Sequence, residues 1–179
     1  MASKGAISSD FISVCRPIIK YNSDYEMNEE YFYLGKTSEN GYLVCENDEG
    51  VYVHRVKNYM INTNSFTEWI MQLNFCMTER AISLINTTGK FDLIHAHDWL
   101  VAYAAKTIKN SYDIPIVATI HATEAGRNSG IHDETQRYIN DTEWMLTYEA
   151  TEVIVNSNYM KNEVQRLFGL PFEKINVIP

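Results

Sequence analysis

From residue 91 onward the chain alternates short apolar runs with helix-length amphipathic segments, and few folds accommodate that pattern. Residues 91–97 (FDLIHAH), 114–121 (IPIVATIH), 152–156 (EVIVN) and 175–179 (INVIP) have the length and apolar character of buried strands. Pro115 falls near a strand entry, where a missing N–H does least harm. Between the runs lie three helical stretches. Leu100, Ala104 and Ile108 mark the first stripe. Asp133, with Gln136 three residues on, caps a second that carries Tyr138, Ile139, Met145 and Leu146. Residues 159–168 form a third, closed by Gly169 and then Pro171. Strands separated by helices of this length imply parallel neighbours joined by right-handed crossovers. The predicted class is therefore α/β, a Rossmann-like parallel sheet with helices on both faces. In such sheets ligands bind in the crevice outside the carboxyl ends of the strands, so function is to be sought on that rim.

Upstream, Ser65 and Glu68 form a capping box, and Phe66, Ile70, Leu73, Met77, Ala81 and Leu84 follow at three- and four-residue steps. That spacing predicts a long amphipathic helix ending at Gly89, which tolerates a left-handed backbone. Residues 41–45 and 51–56 flank Asn47-Asp-Glu-Gly50 and predict a hairpin, with entry of 51–56 into the main sheet as the alternative. Residues 1–40 read as an irregular segment, with a strand over 11–19 interrupted by Pro17 and an acidic, loop-like 21–30. The Rossmann-like domain is thus placed at 41–179, and 179 residues suit one domain of roughly 100–150 residues plus an extension.

A formal net charge of −8 and a pI near 5.1 argue against nucleic acid, whose binders concentrate Lys and Arg on one face. No apolar run approaches the roughly 18 residues of a membrane span, and residues 1–10 lack the pattern of a signal peptide. Cys15, Cys45 and Cys76 are odd in number and far apart, which predicts reduced thiols and a cytoplasmic location.

Polar side chains fall where the strands end. The first strand runs into His97-Asp98, the second into His121 and the third into Asn156-Ser157. Asp98 reads as a cap for the following helix, as a carboxylate facing the crevice, or as both. His95 and His97 are expected on opposite sides of their strand, His95 as a satisfied core histidine and His97 toward the crevice. His121 precedes the loop Gly126-Arg127-Asn128-Ser129-Gly130, where an imidazole and backbone amides can meet a sugar hydroxyl or a phosphate. Asn156 and Ser157 serve either as caps or as ligands, and Trp99 either as packing or as a pocket wall. His-x-His-Asp resembles a metal-ligand cluster. However, the spacing of a binuclear hydrolase is not met, and a barrel hydrolase would need roughly 250 residues, so no metal is expected. Dinucleotide, Walker and nucleophile-elbow motifs are absent from the sequence.

His-Ala-His-Asp-Trp at 95–99, Thr-Ile-His at 119–121, and the stretch from Ile154-Val-Asn-Ser-Asn-Tyr-Met160 to Lys174-Ile-Asn-Val-Ile-Pro179 together resemble the N-terminal domain of GT-B retaining glycosyltransferases. That group includes glycogen and starch synthases and the family-four glycosyltransferases, and the likeness covers 51–179. The resemblance implies two Rossmann-like domains across a cleft, the N-terminal one on the acceptor side. It implies transfer of a glycosyl group, glucose in the leading case, from a nucleotide sugar such as UDP-glucose or ADP-glucose to a glycan acceptor. Configuration is retained, with no cofactor and no essential metal. Asp98 matches the cleft aspartate near the transferred sugar, and His121 the histidine that contacts the donor sugar, so these two are the implied catalytic residues. His97, Trp99, Arg127, Asn156 and Ser157 are the candidate substrate-binding set.

Two departures shape the expectation. Nothing in residues 1–40 supplies the family's glycine-rich loop, and the sequence stops at Val-Ile-Pro179, where the family continues into a donor-binding domain. The chain is therefore expected to be the acceptor half of a transferase, inactive without its C-terminal donor domain. A non-catalytic carbohydrate- or partner-binding remnant of the same fold is the alternative.

Overall fold

The computed structural model describes residues 13–16, 29–33, 45–48, 51–56, 63–89 and 91–179. Among them lie β1 (Ser13–Arg16), β2 (Glu29–Tyr33), β3 (Cys45–Asp48), β4 (Val51–Arg55), α1 (Phe66–Thr88), β5 (Ile94–His97), α2 (Ala102–Tyr112), β6 (Ile116–Ile120), α3 (Glu124–Arg127), α4 (Glu134–Glu149), β7 (Glu152–Val155), α5 (Asn158–Phe168) and β8 (Ile175–Val177). Single 3-10 turns cover Trp99–Val101 and Phe172–Lys174.

The four strands expected downstream of residue 91 form one parallel sheet in the order β5-β6-β7-β8, with Ile94 opposite Ile116, Val117 opposite Glu152 and Val153 opposite Ile175. The α/β class read from the sequence is therefore present. Side-chain alternation divides the residues of this sheet cleanly. Ile94, Ala96, Ile116, Ala118, Ile120, Val153, Val155 and Ile175 are buried and share one apolar cluster with Ile70 and Leu73 of α1, Ala104 and Ile108 of α2, Leu146 of α4 and Val164 of α5. The opposite face takes the intervening positions, among them His95, His97, Val117 and Thr119.

The upstream strands form a second sheet, ordered β1-β2-β4-β3. β3 and β4 are antiparallel, Cys45 opposite His54 and Asp48 opposite Val51, so the predicted hairpin exists. Its first strand runs into the expected turn and leaves only Glu49 and Gly50 between the paired residues, a connection length common in hairpins. β4 also pairs in parallel with β2, which makes it an inner strand of this sheet rather than a member of the parallel one. The segment 1–40, expected to be irregular, contains β1 and β2, paired antiparallel. Tyr31-Phe32-Tyr33 supplies strand-favouring aromatics directly after the acidic stretch, and Pro17, lacking an N–H, stands immediately past β1. Residues 41–44 and 21–28, on which parts of the sequence reading fall, lie outside the described residues.

The helix ends follow the capping chemistry seen in the sequence. Ser65 Oγ accepts from Glu68 N at 3.2 Å, while the Glu68 carboxylate accepts from Asn64 N at 2.7 Å, one residue before the cap itself. Gly89, at φ 97°, donates to Ile85 O and ends α1. Asp133 Oδ1 accepts from Gln136 N at 2.8 Å, and Gly169 closes α5 in the left-handed region. Phe66, counted in the apolar stripe of α1, instead stands 56% exposed at the first turn, edge-on to Trp99. Buried Asn74 ties α1 to the start of α2: its amide donates to Ile70 O and Leu100 O, and its Oδ1 accepts from Ala104 N, all at 2.8 Å. No helix among the described residues is long and apolar enough to cross a membrane.

Leu146 lies in the core and Tyr148 is 63% exposed two residues further along α4. Leu146→Ala is expected to lower the urea unfolding free energy by about 2–5 kcal/mol, and Tyr148→Ala by no more than about 0.5 kcal/mol. Equal losses would mean that the inward face of α4 has been misassigned.

Candidate functional site

Asp98 is the first residue past β5 and stays in the ladder through its N–H, which donates to Thr119 O at 2.9 Å. Its backbone then turns sharply, to φ 54° and ψ 178°, a region almost reserved for glycine that costs a side-chain-bearing residue about 1–3 kcal/mol. Its side chain makes no capping bond to the following turn, so the capping role read from the sequence is not present. Instead Oδ1 accepts from the His121 N–H at 2.9 Å and so joins the ends of β5 and β6. Burial pushes the carboxyl above its ordinary pKa; the amides of His121 and Ala122, the His121 ring and Arg127 oppose that push.

Three histidines stand together beside it. His95 and His97, two positions apart, share one face of β5, with ring centroids 4.3 Å apart. The expected division between opposite faces does not occur, because alternation separates adjacent residues and brings every second one together. His95 Nε2 lies 2.7 Å from Thr119 Oγ1, so this ring is a satisfied one, although it is not on the helix-covered face. One hydrogen bond of 3.0 Å joins His97 Nδ1 to His121 Nε2. The other ring nitrogen of His97, Nε2, is buried without a hydrogen-bond partner. Burial first, then the neighbouring His95 and His121, hold His97 down to about 4.

The loop after β6 contains the short helix α3, which the sequence reading passed over as irregular. Thr123 caps it, Oγ1 accepting from Gly126 N at 2.9 Å, and donates in turn to Glu163 Oε1 at 2.7 Å. Glu143 places both carboxylate oxygens on the Glu124 N–H, at 2.9 and 3.0 Å. Arg127 lies 3.9 Å from Glu124 and is 44% exposed. Glu143 is only 1% exposed, and burial raises it to about 7 despite the Glu124 amide and Arg127.

The structure therefore gathers Asp98, His97 and His121 at the rim, with Arg127 close enough for its charge to act on Asp98. Trp99 is not part of that rim: it is 4% exposed and packs edge-on against Phe66 and Tyr138 in the core. Ser157 caps α5, Oγ accepting from Met160 N at 3.2 Å, while Asn156 is exposed at the end of β7. Glu143, Glu163 and Thr123 were missed. Glu143 falls four residues after Ile139 and three before Leu146, so helical periodicity alone puts an acid on a buried face. Among the described residues no group of three or more His, Cys, Asp or Glu side chains is arranged to hold a metal ion.

The model of the family described as Glycosyltransferase Family 4 matches residues 37–179. The chain belongs to that family. An uncharacterized glycosyltransferase of Methanocaldococcus jannaschii is 35% identical over 133 residues, 74% of this chain and 33% of that protein. Glycogen synthase of Mycobacterium tuberculosis is 36% identical over 120 residues, 64% of this chain and 29% of that protein. The chain thus spans about a third of the length of these curated relatives. Among solved structures, sucrose-phosphate synthase from Thermosynechococcus elongatus shares the fold, with a TM-score of 0.62 and 16% identity over 76% of this chain and 34% of that one.

Two groups in this family 4 domain give stability opposite pH slopes. His97 binds its proton near 4 when folded and near 6.5 when unfolded, so its contribution is present above 6.5 and is lost as pH falls toward 4. Glu143, near 7 folded and 4.5 unfolded, contributes below 4.5 and loses that contribution as pH rises through 7. Glu143→Gln is therefore expected to gain stability relative to the parent between about pH 5 and pH 8, and His97→Asn between about pH 7 and pH 4.5. Urea midpoints measured across pH check both, and parallel pH profiles for parent and variants would refute the assignment.

Proposed function

We propose that this domain forms the acceptor side of a retaining hexosyltransferase, which moves glucose from a nucleotide sugar, UDP-glucose or ADP-glucose, to a glycan hydroxyl. The observation that carries the proposal is Asp98: a carboxyl group held at the carboxyl ends of the strands on a backbone that favours glycine, fastened to the His121 amide. Strain of that kind persists only where its surroundings enforce it, and it concentrates at functional sites. A carboxylate fixed beside the reacting sugar hydrogen-bonds its hydroxyls and gains strength as positive charge develops at the anomeric carbon. His121 adds a ring beside it, and the unpartnered His97 Nε2 offers a further polar contact. Glucose and an α-glucan are favoured by the likeness to glycogen synthase. Because the chain spans about a third of its relatives, donor recognition is assigned to a second domain, and the 179 residues alone are expected to transfer weakly or not at all.

In the longest form its gene encodes, the protein is expected to transfer glucose to maltoheptaose from one of the two donors, with proton NMR showing an α-linked product. Asp98→Asn and His121→Ala are each expected to lower kcat by about 100-fold or more. Variants that keep the parent rate would remove both residues from the reaction. Glycan binding that survives both substitutions, with no transfer from either donor, would favour a non-catalytic binding module.

A further inference from the structure

We propose that Glu143 and Glu163 are positioning residues that hold the turn bearing His121 and Arg127 at the rim. Neither acid belongs to the rim itself. Glu143 comes from α4 and Glu163 from α5, and they are 1% and 7% exposed. A carboxylate removed from water to that extent is costly unless its oxygens are hydrogen-bonded, and in both cases a bond goes to the same short turn. Glu143 takes the Glu124 N–H on both oxygens, and Glu163 takes the Thr123 hydroxyl. Thr123, itself 0% exposed, holds the Gly126 N–H through the same hydroxyl oxygen.

Gly126 shows how closely the second acid is seated. A Cβ at that position would meet Glu163 Oε1 at 2.5 Å and Thr123 Oγ1 at 2.9 Å, so a side chain there would push the Glu163 carboxylate and the Thr123 hydroxyl out of their places. A turn of four residues cannot hold its own shape, since so short a helix is far below the length at which helices are stable in water. Its geometry is imposed from two longer helices. His121 is two residues before Thr123 and already fixed at its N–H by Asp98, so the segment is gripped from outside at His121, Thr123 and Glu124, while Gly126 is tied back to Thr123. Arg127, next to Gly126, takes its place from the same grip. A displacement of about 1 Å in a positioned group is enough to slow a reaction about 100-fold.

This proposal rests on the reading of His121 as a residue of the transfer site, so its test has one arm that needs no activity. In the full-length protein, Glu143→Ala and Gly126→Ala are expected to speed amide exchange at positions 124 and 126 by about 10-fold or more and to broaden the His121 ring signals. Core amides of β6 and β7 should keep their protection. Glu143→Gln, which retains an accepting oxygen at the same place, is expected to restore most of the protection and also guards against a misfolded alanine variant. Where the parent transfers glucose, kcat should fall about 10-fold or more in the alanine variants, with acceptor KM within about threefold and with recovery in the glutamine variant. Unchanged exchange and ring signals would overturn the proposal, as would a loosened turn with kcat within twofold of the parent. A parent that is silent in transfer overturns the transferase reading instead, and the exchange and ring signals then decide the proposal by themselves.

Discussion

The bond from the His121 N–H to the Asp98 carboxylate closes the rim of the parallel sheet. Backbone pairing between β5 and β6 continues as far as Asp98 N and Thr119 O, and there the two chains part, one into a 3-10 turn and the other toward α3. Beyond that point no ladder is available to set the distance between them. The Asp98 carboxyl on the His121 N–H takes over, alongside the bond between the His97 and His121 rings. The residues read as chemistry at the rim sit on one side or the other of this bond, which acts together with the bond between the His97 and His121 rings and with the hold of Glu143 and Glu163 on the turn after β6.

The same sheet works differently on its two faces. Against the helices it presents small and branched apolar side chains, Ala96, Ala118, Val153 and Val155 among them, and these let α2, α4 and α5 approach closely. The other face carries His95, His97 and Thr119, bonded to one another or to His121. Burying apolar area on the first face stabilises the fold at about 25 cal/mol per Å², which offsets the desolvation of the imidazoles on the second. The polar cluster is thus carried by a scaffold that draws its stability from elsewhere.

Much of this fold was legible because the two periodicities are distinct. Strand-length apolar runs at β5 to β8 and three-to-four spacing in α1, α2, α4 and α5 left little choice of class, and Ser65, Asp133, Gly89 and Gly169 marked helix ends by their chemistry. Asp98, His97 and His121 were singled out because strand ends can be counted, and the structure brings the three together. α3 was not, since four residues carry no period. Glu143 and Glu163 were hidden for another reason: an acid within an apolar stripe reads as the edge of that stripe, and only the fold reveals the amide or hydroxyl that meets it. Of the two readings of Trp99, packing holds, because the 3-10 turn that begins there directs it into the core. His95 was assigned to the wrong side through a misapplied rule; alternation itself puts it beside His97.

The backbone at Asp98 also has a meaning over evolutionary time. Glycine is at ease at φ 54° and ψ 178°, and aspartate is not. Exchange for glycine would relieve that strain and would also remove the acceptor that holds the His121 N–H, so its two effects on stability oppose each other. The strained backbone is thus kept together with the join that its side chain makes between the ends of β5 and β6. In descendants of this chain, glycine at position 98 would mark lineages in which a carboxylate no longer joins the ends of β5 and β6.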